Sequence, residues 1–435
     1  MGAAGLLALS LAAWHGVPGG TFQFDDLGAV LSAPAGLAGR IRPLLALTFQ
    51  ADLALHGPRP AGFLAENLVL HCLSVLLVHA LARRVLSPLG AFLAAATFAL
   101  QPSHAEVVAY VSGRSTGLMA LLLLAALWAF LRAGESPTPA ARRAWLAACL
   151  GLFAAASGVK EVALVFPLLV LVWGTLGRRE PDLVRRVLPL AAAAGVLALG
   201  LWSIPRYREL AGWSFARHPA PEAMALNLSA LPVQLSLWLR PGALSVEHPL
   251  DEAALPLGPA LVFLGAMGAG AFLVRRRAPR VALAVAWAFA ALLPTQSLLA
   301  KADVVTEKPL YLAWFGAALL AGEALAGAAA RVGASRPTRL VLVLGLGGAA
   351  WLAGRAVQER VHVWSDPVLL WTDATRKAPG SSRAWNNLGN ALRTRAPDRA
   401  LLAVRRSLDL DPSNRRALAN RDTLEALCPA GCAVP

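Results

Sequence analysis

The sequence has little charge for its length. Only 15% of its 435 residues are Asp, Glu, Lys or Arg, whereas 57% are hydrophobic. A soluble chain of this size would need more charged surface, so the composition excludes an ordinary soluble globular protein. Acids are the scarcer charge, and the net charge is +15. The basic residues lie mostly at the ends of apolar runs, which indicates membrane topology rather than nucleic-acid binding.

Cysteine is also scarce, with four in the chain. Cys72 and Cys149 fall inside apolar runs and are predicted to be buried small residues. Cys428 and Cys432 could form a disulfide in an oxidising compartment or remain free thiols. No histidine or further cysteine lies near them in sequence, so they do not predict a metal site. The chain also lacks a Walker loop, a dinucleotide fingerprint and a His-Glu-x-x-His motif, so a soluble nucleotide is not an expected ligand.

Long apolar runs separated by short basic loops are present instead. A membrane helix needs roughly 17–25 such residues, so we predict an all-α polytopic membrane protein with about 11 transmembrane helices. The opening run has no basic n-region and no clear cleavage site, which favours a short or N-terminally truncated first span. The apolar segment 227–244 contains Arg240 and Pro241 and is predicted to be a re-entrant or interfacial helix. The predicted spans are 1–14, 66–82, 87–102, 116–132, 141–157, 161–177, 186–204, 255–274, 281–299, 310–330 and 339–357.

The distribution of arginine predicts which ends of these spans are cytoplasmic. Alternate loops carry nearly all of the arginine clusters and only three acids, Glu135, Glu180 and Asp182. The positive-inside rule places these loops in the cytoplasm. The loops at 15–65, 103–115, 158–160, 205–254 and 300–309, together with the C-terminal tail, are then predicted to face the outer compartment.

The C-terminal tail has a different pattern. Residues 1–357 are predicted to form the membrane domain, and residues 358–435 a short tail of tetratricopeptide-like helical hairpins, because charge rises and apolar residues become periodic. Arrays of this kind usually need about three repeats to be stable alone, so this short tail is expected to pack on the membrane domain. The residues that fit the repeat are Trp385, Leu388, Gly389, Leu392, Ala400, Val404, Ser407 and Pro412.

Two adjacent acids, Asp25 and Asp26, follow the first span in an outer loop. Neighbouring carboxylates at a membrane surface repel each other, and at least one pKa should rise. Such a carboxylate suits a general base that takes a proton from a hydroxyl. An N-cap or a solvated loop acid is the alternative interpretation, and the pair taken alone favours it.

Three cations are predicted at the same membrane face as this acid pair. Arg114 follows the second outer loop, Lys160 lies between two spans, and Lys308 lies in the last outer loop. Cations at this depth can hold a lipid-linked phosphate through charge-assisted hydrogen bonds. Other polar residues at or near this face are candidate supporting residues. They are Arg42, His71, His104, Glu106, Glu161, Glu307 and Tyr311.

The order and spacing of these motifs resemble the transmembrane and tetratricopeptide-repeat O-mannosyltransferases, part of the GT-C glycosyltransferase superfamily that also contains the protein O-mannosyltransferases. The chain departs from the family pattern at Gln101, Thr116 and Lys308, where the family usually has His, Asp and Arg. The resemblance covers essentially the whole chain. The motifs that carry it are Phe24-Asp25-Asp26, Arg42-Pro43 with Thr48-Phe49, Asn67 with His71, Pro102 with His104 and Glu106, Gly113-Arg114, Lys160-Glu161, Glu307 with Leu310-Tyr311-Leu312, Trp364 and the repeat at 384–412.

The resemblance implies a GT-C-like bundle and a glycosyltransferase. Its donor would be a polyprenyl-phosphate-linked monosaccharide, and its acceptor a hydroxyl, such as Ser or Thr of an exported protein. An inverting transfer needs one base, for which Asp25 is favoured with Asp26 in support. No metal or other cofactor is expected, although two aspartates could bind a divalent ion. The Ala-, Leu- and Arg-rich composition suits a GC-rich bacterium, which predicts the inner membrane with the site and tail in the periplasm.

Two other functions fit parts of the sequence. A non-catalytic membrane scaffold could present the tail as a docking module, and it would tolerate neutral residues at Asp25, Asp26 and Arg114. A transporter or flippase should carry ionisable residues near the middle of its spans and show an internal repeat of spans. The charges here cluster at one face instead, with Glu323 as the main exception, and no such repeat is visible.

Overall fold

A computed structural model describes residues 2–24, 26–31, 41–177, 180, 182–248, 255–296, 299–331 and 336–427. The regular structure of these residues is entirely helical, which confirms the predicted all-α fold class. Asp25 and the pair Cys428 and Cys432 lie outside the described residues, so the predictions made for them stay predictions. Cys72 and Cys149 are buried, as expected.

Each of the eleven predicted spans corresponds to a helical segment. Six segments, containing α4, α7, α10, α13, α15 and α16, are long and apolar enough to cross a membrane. Four further apolar segments, containing α1, α5, α9 and α14, are shorter, and α8 belongs to neither group. The chain is thus an integral membrane protein. The segments are α1 (Ala3–Trp14), α4 (Pro60–Ala82), α5 (Pro88–Ala99), α7 (Arg114–Glu135), α8 (Pro139–Val159), α9 (Phe166–Val172) with its flanking turns, α10 (Leu183–Ser203), α13 (Leu257–Val274), α14 (Pro279–Leu292), α15 (Leu310–Arg331) and α16 (Arg336–Trp364).

Short helices fill the predicted outer loops. The segment predicted as an interfacial helix at 227–244 is helical only in part, because α12 ends at Ser236 and a 3-10 turn follows at Pro241–Ala243. Several helices begin with proline in the first turn, where its missing N–H needs no partner and its fixed φ suits a helix. The loop helices are α2 (Asp26–Leu31), α3 (Pro43–His56), α6 (Ala105–Val108), α11 (Pro205–Arg217) and α12 (Ala220–Ser236).

The centre of the bundle is formed by α4, α5, α7 and α15. In the most apolar stretch of α7, 61% of the residues are buried, against 6% in α13 and in α16, which lie at the periphery. Glycine lets α15 approach its neighbours: a Cβ on Gly316 would overlap the Ala284 carbonyl, and one on Gly322 the Gly90 carbonyl. Small residues at helix contacts are how membrane helices pack closely without a hydrophobic driving force between them.

The bundle has two chemically different ends. Thr116, in the first turn of α7, accepts a hydrogen bond from Lys160, which follows α8, and we call this the Lys160 end. At the opposite end, Arg84 after α4 and Arg132 near the end of α7 both pair with Glu135, and we call this the Arg84 end. The prediction that the arginine-rich loops share one face is therefore consistent with these contacts.

The tail consists of α17 (Pro367–Lys377), α18 (Ser382–Leu392), α19 (Pro397–Leu410) and α20 (Arg415–Leu427). α18 and α19 form the hairpin that the repeat pattern predicts, and their apolar residues build a separate small core. Gly389 allows the close approach of the two helices, because a Cβ there would overlap Val404. α16 continues to Trp364, past the predicted boundary at residue 357, so one continuous helix joins the two predicted domains. The division into domains stays a prediction.

Candidate active site

A polar cavity of about 300 Å³ lies at the Lys160 end, between the membrane helices and the tail. Four outer loops and the tail all contribute to its wall, so it forms only when distant parts of the chain come together. Its lining comprises Phe24, Glu106, Tyr110, Ser245, Val246, Asp303, Thr306, Lys308, Trp371, Arg383, Asn387 and Arg416. Two of the residues predicted from the sequence, Glu106 and Lys308, are among them.

Glu106 organises the last outer loop around this cavity. One of its carboxylate oxygens accepts the backbone N–H groups of Glu307 at 3.0 Å and Lys308 at 3.1 Å. The other oxygen lies 3.3 Å from the Lys308 ammonium, which also sits 4.8 Å from the centre of the Tyr110 ring. The contacts fix the position of the Lys308 side chain at the cavity wall.

A second ion pair holds the predicted residues Arg42 and Glu161 together. The Arg42 guanidinium donates to both Glu161 oxygens, at 2.7 and 3.1 Å, in the two-pronged geometry that makes such pairs strong. Arg42 has a positive φ of 60° immediately before Pro43, a conformation that non-glycine residues seldom adopt. The strained turn directs the start of α3 toward Glu161 at the end of α8. Tyr207 lies 3.5 Å from the same carboxylate.

Lys160 lies in the electrostatic field of both ion pairs. Burial, together with the positive charges of Arg42 and Lys308, lowers the pKa of Lys160 to about 7. Glu161 and Glu106 act in the opposite direction but do not cancel this effect. The ammonium donates to Thr116 at 2.7 Å, at the position where the related family has an acid. Replacing an acid by threonine removes a negative charge that would otherwise hold Lys160 protonated.

Asp26 is a buried structural carboxylate in this arrangement. It begins α2, and one of its oxygens accepts the N–H of Gln23 at 2.9 Å. The other oxygen accepts the backbone N–H and the hydroxyl of Ser112, at 2.9 and 2.6 Å. Asp26 thereby ties the first outer loop to the second. The preceding described residue, Phe24, has a positive φ of 46° and lies on the cavity wall.

Aromatic rings surround that first-loop turn. The Phe24 ring lies 5.6 Å from Tyr110 and 5.1 Å from Trp371, between centroids. Trp364, at the end of α16, is 5.5 Å from Tyr110. These edge and tilted contacts are typical of stable aromatic packing. They join the first loop, the second loop and the tail beside the cavity.

Arg114 is placed differently from the other two predicted phosphate ligands. Its side chain is only 1% exposed, and it ion-pairs with Asp52 at 2.5 Å and with Glu66 at 3.5 Å. It also donates to the Asn67 side chain at 3.0 Å and to the Phe63 carbonyl at 2.8 Å. With this set of partners, Arg114 joins α3, α4 and α7 beneath the cavity and does not line it.

His71, His104 and Tyr311 form a packed cluster in the bundle core. The Tyr311 hydroxyl lies 2.9 Å from His71 Nδ1, and the His104 ring lies 4.4 Å from the Tyr311 ring. All three side chains are buried. The structure thus brings these predicted supporting residues together, but away from the cavity lining.

Glu307 is buried next to the cavity and differs from Glu106 in its surroundings. It accepts the N–H of Ser245 at 2.7 Å, and His248 lies 3.7 Å away. Burial, opposed by Arg360 and reinforced by the Glu106 charge, raises the pKa of Glu307 to about 8. Glu307 is therefore mostly protonated at neutral pH.

The tail residues on the cavity wall were not among the residues singled out from the sequence. Arg383 ion-pairs with Glu247 and with Asp303, each at 2.5 Å, and so connects α18 to two outer loops. Lys377 donates to the Leu244 carbonyl at 2.7 Å. No sequence pattern predicted these contacts, because each joins residues more than 70 positions apart that belong to different predicted domains. Among the described residues, no group of three or more His, Cys, Asp or Glu could hold a metal ion.

Comparison with known proteins supports the resemblance noted in the sequence. No protein-family profile matches the chain. The protein O-mannosyl-transferase Tmtc2 of Drosophila melanogaster is 33% identical over 258 residues, which span 55% of this chain and 27% of that protein. Human TMTC1 is 40% identical over 93 residues, or 21% of this chain and 10% of that protein. The chain thus spans about a quarter or less of the length of these relatives.

Solved structures with an overall likeness include ArnT from Cupriavidus metallidurans bound to undecaprenyl phosphate. It is 18% identical with a TM-score of 0.46, over 98% of this chain and 78% of that chain. The archaeal oligosaccharyltransferase AglB from Archaeoglobus fulgidus has a TM-score of 0.42 at 14% identity, over 82% of this chain and 50% of that chain. Over the part that the sequence alignments span, the chain is a relative of the transmembrane and tetratricopeptide-repeat O-mannosyltransferases, and the predicted resemblance is confirmed.

Proposed function

We propose that this protein is an integral-membrane glycosyltransferase acting at the Lys160 end of the bundle. It transfers a monosaccharide from a polyprenyl-phosphate-linked donor to a hydroxyl group, such as Ser or Thr of an exported protein. One observation carries the proposal. Lys308 lies on the cavity wall, and its positive charge contributes to the lowered pKa of Lys160. Two half-buried cations that repel each other favour an anionic ligand between them.

The donor phosphate is assigned to Lys160 and Lys308. A lipid-linked donor carries its phosphate at the membrane surface, and both lysines flank predicted spans: Lys160 directly follows α8, and Lys308 lies just before α15. Glu106 holds Lys308 at the cavity wall, and Thr116 holds Lys160. Arg114, which the sequence also predicted as a phosphate ligand, is proposed instead to position the loops, since its donors already face Asp52, Glu66, Asn67 and Phe63.

Asp25 is assigned as the base that activates the acceptor. Support for this assignment comes from the described residues next to it in sequence: Phe24 is on the cavity wall, and Asp26 accepts hydrogen bonds from Ser112. In an inverting transfer, the carboxylate takes the hydroxyl proton while the hydroxyl oxygen attacks the anomeric carbon. The bond from that carbon to the phosphate oxygen breaks, and its electron pair leaves with the polyprenyl phosphate. Lys160 and Lys308 stabilise the charge that develops there.

The tail provides the acceptor side of the cavity in this proposal. Trp371, Arg383, Asn387 and Arg416 line the wall opposite the membrane helices. An acceptor segment lying along this tail wall, beside Phe24 and Trp371, would bring its hydroxyl toward the first loop. With the arginine-rich loops in the cytoplasm, this end faces the periplasm of a bacterial inner membrane.

The experiment is transfer of labelled mannose from polyprenyl-phosphate mannose to a Ser/Thr-rich peptide by the purified full-length protein. We expect Lys308→Gln and Lys160→Gln to lower transfer and raise the apparent KM for the donor. Arg206→Gln is the matched control, because it removes one exposed cation from the same end without touching the cavity.

Two results would overturn the proposal. An unmodified protein that transfers no sugar from any polyprenyl-phosphate donor would favour the non-catalytic scaffold. If the two lysine variants and the unmodified protein had equal donor KM values, Lys160 and Lys308 would not bind the donor phosphate, even if transfer itself were observed.

A further inference from the structure

We propose a second lipid site, for an anionic phospholipid, between α8 and α10 at the Arg84 end of the bundle. The structure contains a cavity of about 400 Å³ there. Four arginines line it, Arg142 and Arg143 from α8 and Arg185 and Arg186 from α10. Leu146, Leu150 and Leu190 supply its apolar wall. The combination of clustered cations and apolar surface matches a phosphate headgroup joined to an acyl chain.

This cavity is separate from the candidate active site. α8 has 21 residues, which corresponds to about 30 Å of helix, or one bilayer core. Its last turn adjoins Lys160, and Arg142 and Arg143 lie among its first five residues. The two sites therefore lie at opposite ends of α8 and do not share residues.

Arg186 shows that the cavity is built from buried as well as surface groups. It is only 6% exposed, yet it lines the cavity. One of its terminal nitrogens donates to Glu180 at 2.8 Å, and the other to the Phe130 carbonyl at 2.5 Å. Its Nε has no hydrogen-bond partner among the described residues. A buried donor without a partner is costly and is usually satisfied by a group that binds there.

The other three arginines supply charge that the protein does not neutralise. Arg142, Arg143 and Arg185 are exposed, and within the described ranges their side chains make no hydrogen bond or ion pair. Val184 and Leu188 on α10 are also exposed, at 67% and 61%, and continue the apolar surface along the helix. A phospholipid can place its phosphate among the arginines and lay an acyl chain over this surface.

Native mass spectrometry of the detergent-purified full chain tests the proposal. Phosphatidylglycerol and phosphatidylcholine with identical acyl chains are the probes, and glycerol 3-phosphate is the headgroup alone. We expect retention of phosphatidylglycerol over phosphatidylcholine. The variant Arg142→Gln/Arg143→Gln/Arg185→Gln should bind phosphatidylglycerol about 10²-fold more weakly, because each basic residue near an anionic headgroup adds to the attraction.

The matched control is Arg275→Gln/Arg276→Gln/Arg277→Gln, which removes the same charge from the Arg84 end but not from the cavity. An equal loss in the control would overturn the proposal, as would equal retention of the two lipids. Glycerol 3-phosphate bound as tightly as the lipid would show a soluble phosphate site instead. A second variant, Leu146→Trp, fills the cavity without changing charge, and undiminished binding in it would place the lipid elsewhere.

Discussion

Glu106 holds Lys308 in two ways: one oxygen accepts the Lys308 backbone N–H at 3.1 Å, and the other lies 3.3 Å from its ammonium. The two residues are 202 positions apart in sequence. A cation that is fixed at both its backbone and its side chain needs little reorganisation when it meets an anion. The proposed donor site depends on this preorganisation.

Removing the Glu106 charge should therefore affect both folding and donor use. Glu106→Gln is expected to destabilise the protein by about 1.5–3 kcal/mol, the range for hydrogen bonds to a charged group. It should also raise the donor KM several-fold, because Lys308 is no longer held. Thermal melting and donor titration measure the two effects. The control is Glu209→Gln, which changes an exposed acid at the same end and should alter neither the stability nor the donor KM. A normal donor KM in Glu106→Gln would show that Glu106 does not hold Lys308 for donor binding.

Donor affinity should depend on the protonation of Lys160. With a pKa of about 7 in the free protein, Lys160 is charged below that pH and loses its charge above it. A bound phosphate favours the charged form and raises this pKa. Donor KM should thus be lowest below about pH 7 and should rise as the pH increases toward 9, with one proton taken up on binding.

Two variants separate this titration from that of Glu307, which also ionises near pH 8. Lys160→Arg keeps its charge throughout and should flatten the rise in donor KM. Glu307→Gln should leave the rise in place. If the donor KM does not change with pH in Glu307→Gln but still rises in Lys160→Arg, the pH dependence comes from Glu307 and not from Lys160.

The adjacent acids of the first loop should respond differently to the same substitution. Asp25→Asn should keep the fold and lower the transfer rate roughly 10²–10⁴-fold, the usual loss for a general base. Asp26→Asn should lower the melting temperature, because Asp26 accepts hydrogen bonds from Gln23 and Ser112. Single-turnover rates and melting curves distinguish the two. Near-normal transfer by Asp25→Asn would mean that the base is another residue.

Arg114 and Asp52 should behave as a coupled buried pair. Arg114→Ala leaves the Asp52 carboxylate buried without its partner and should cost about 3–5 kcal/mol. The double variant Arg114→Ala/Asp52→Asn should lose less than the sum of Arg114→Ala and Asp52→Asn, because it leaves neither charge of the pair without its partner. Melting of all four proteins gives the coupling energy. Simple additivity, with an unchanged fold and a raised donor KM in Arg114→Ala, would instead support direct phosphate binding.

Arg383 should hold the tail against the membrane helices. Arg383→Gln removes the pairs with Glu247 and Asp303 and should increase protease cleavage and hydrogen exchange in α17 and α18. Transfer to a peptide acceptor should fall several-fold if the tail forms the acceptor wall. Arg393→Gln is the control, since Arg393 follows the same helix and lies outside the cavity lining. Unchanged exchange in Arg383→Gln would show that the tail is held by its apolar contacts.

The sequence predicted the fold in most respects, because burial in a membrane imposes a strong and local pattern. Each predicted span is a helix, since a run of apolar residues in lipid must satisfy its backbone within the helix. The repeat hairpin at α18 and α19 was predictable from another local pattern, the spacing of Leu388, Ala400 and Val404. The helices inside the first outer loop were not predicted, because α3 mixes polar and apolar residues without a clear boundary.

The candidate site was predictable only as a list of residue types on one face. Sequence order put Glu106 and Lys308 on that face, and the structure places them in contact. Sequence order did not distinguish Arg114 from Lys308, although Arg114 is buried against Asp52 and Lys308 lines the cavity. Nor did it indicate Arg383, whose role depends on where α18 docks.

The membrane character, the helices, the arginine-rich end and the set of charged residues at the other end can all be read from the amino-acid sequence. These properties follow from local composition and period, which each segment carries alone. Which of those charges meet, which are buried, and how the tail closes the cavity follow from the packing of the whole chain. Such pairings depend on contacts between residues far apart in the chain, and their chemistry depends on burial, which no local pattern encodes.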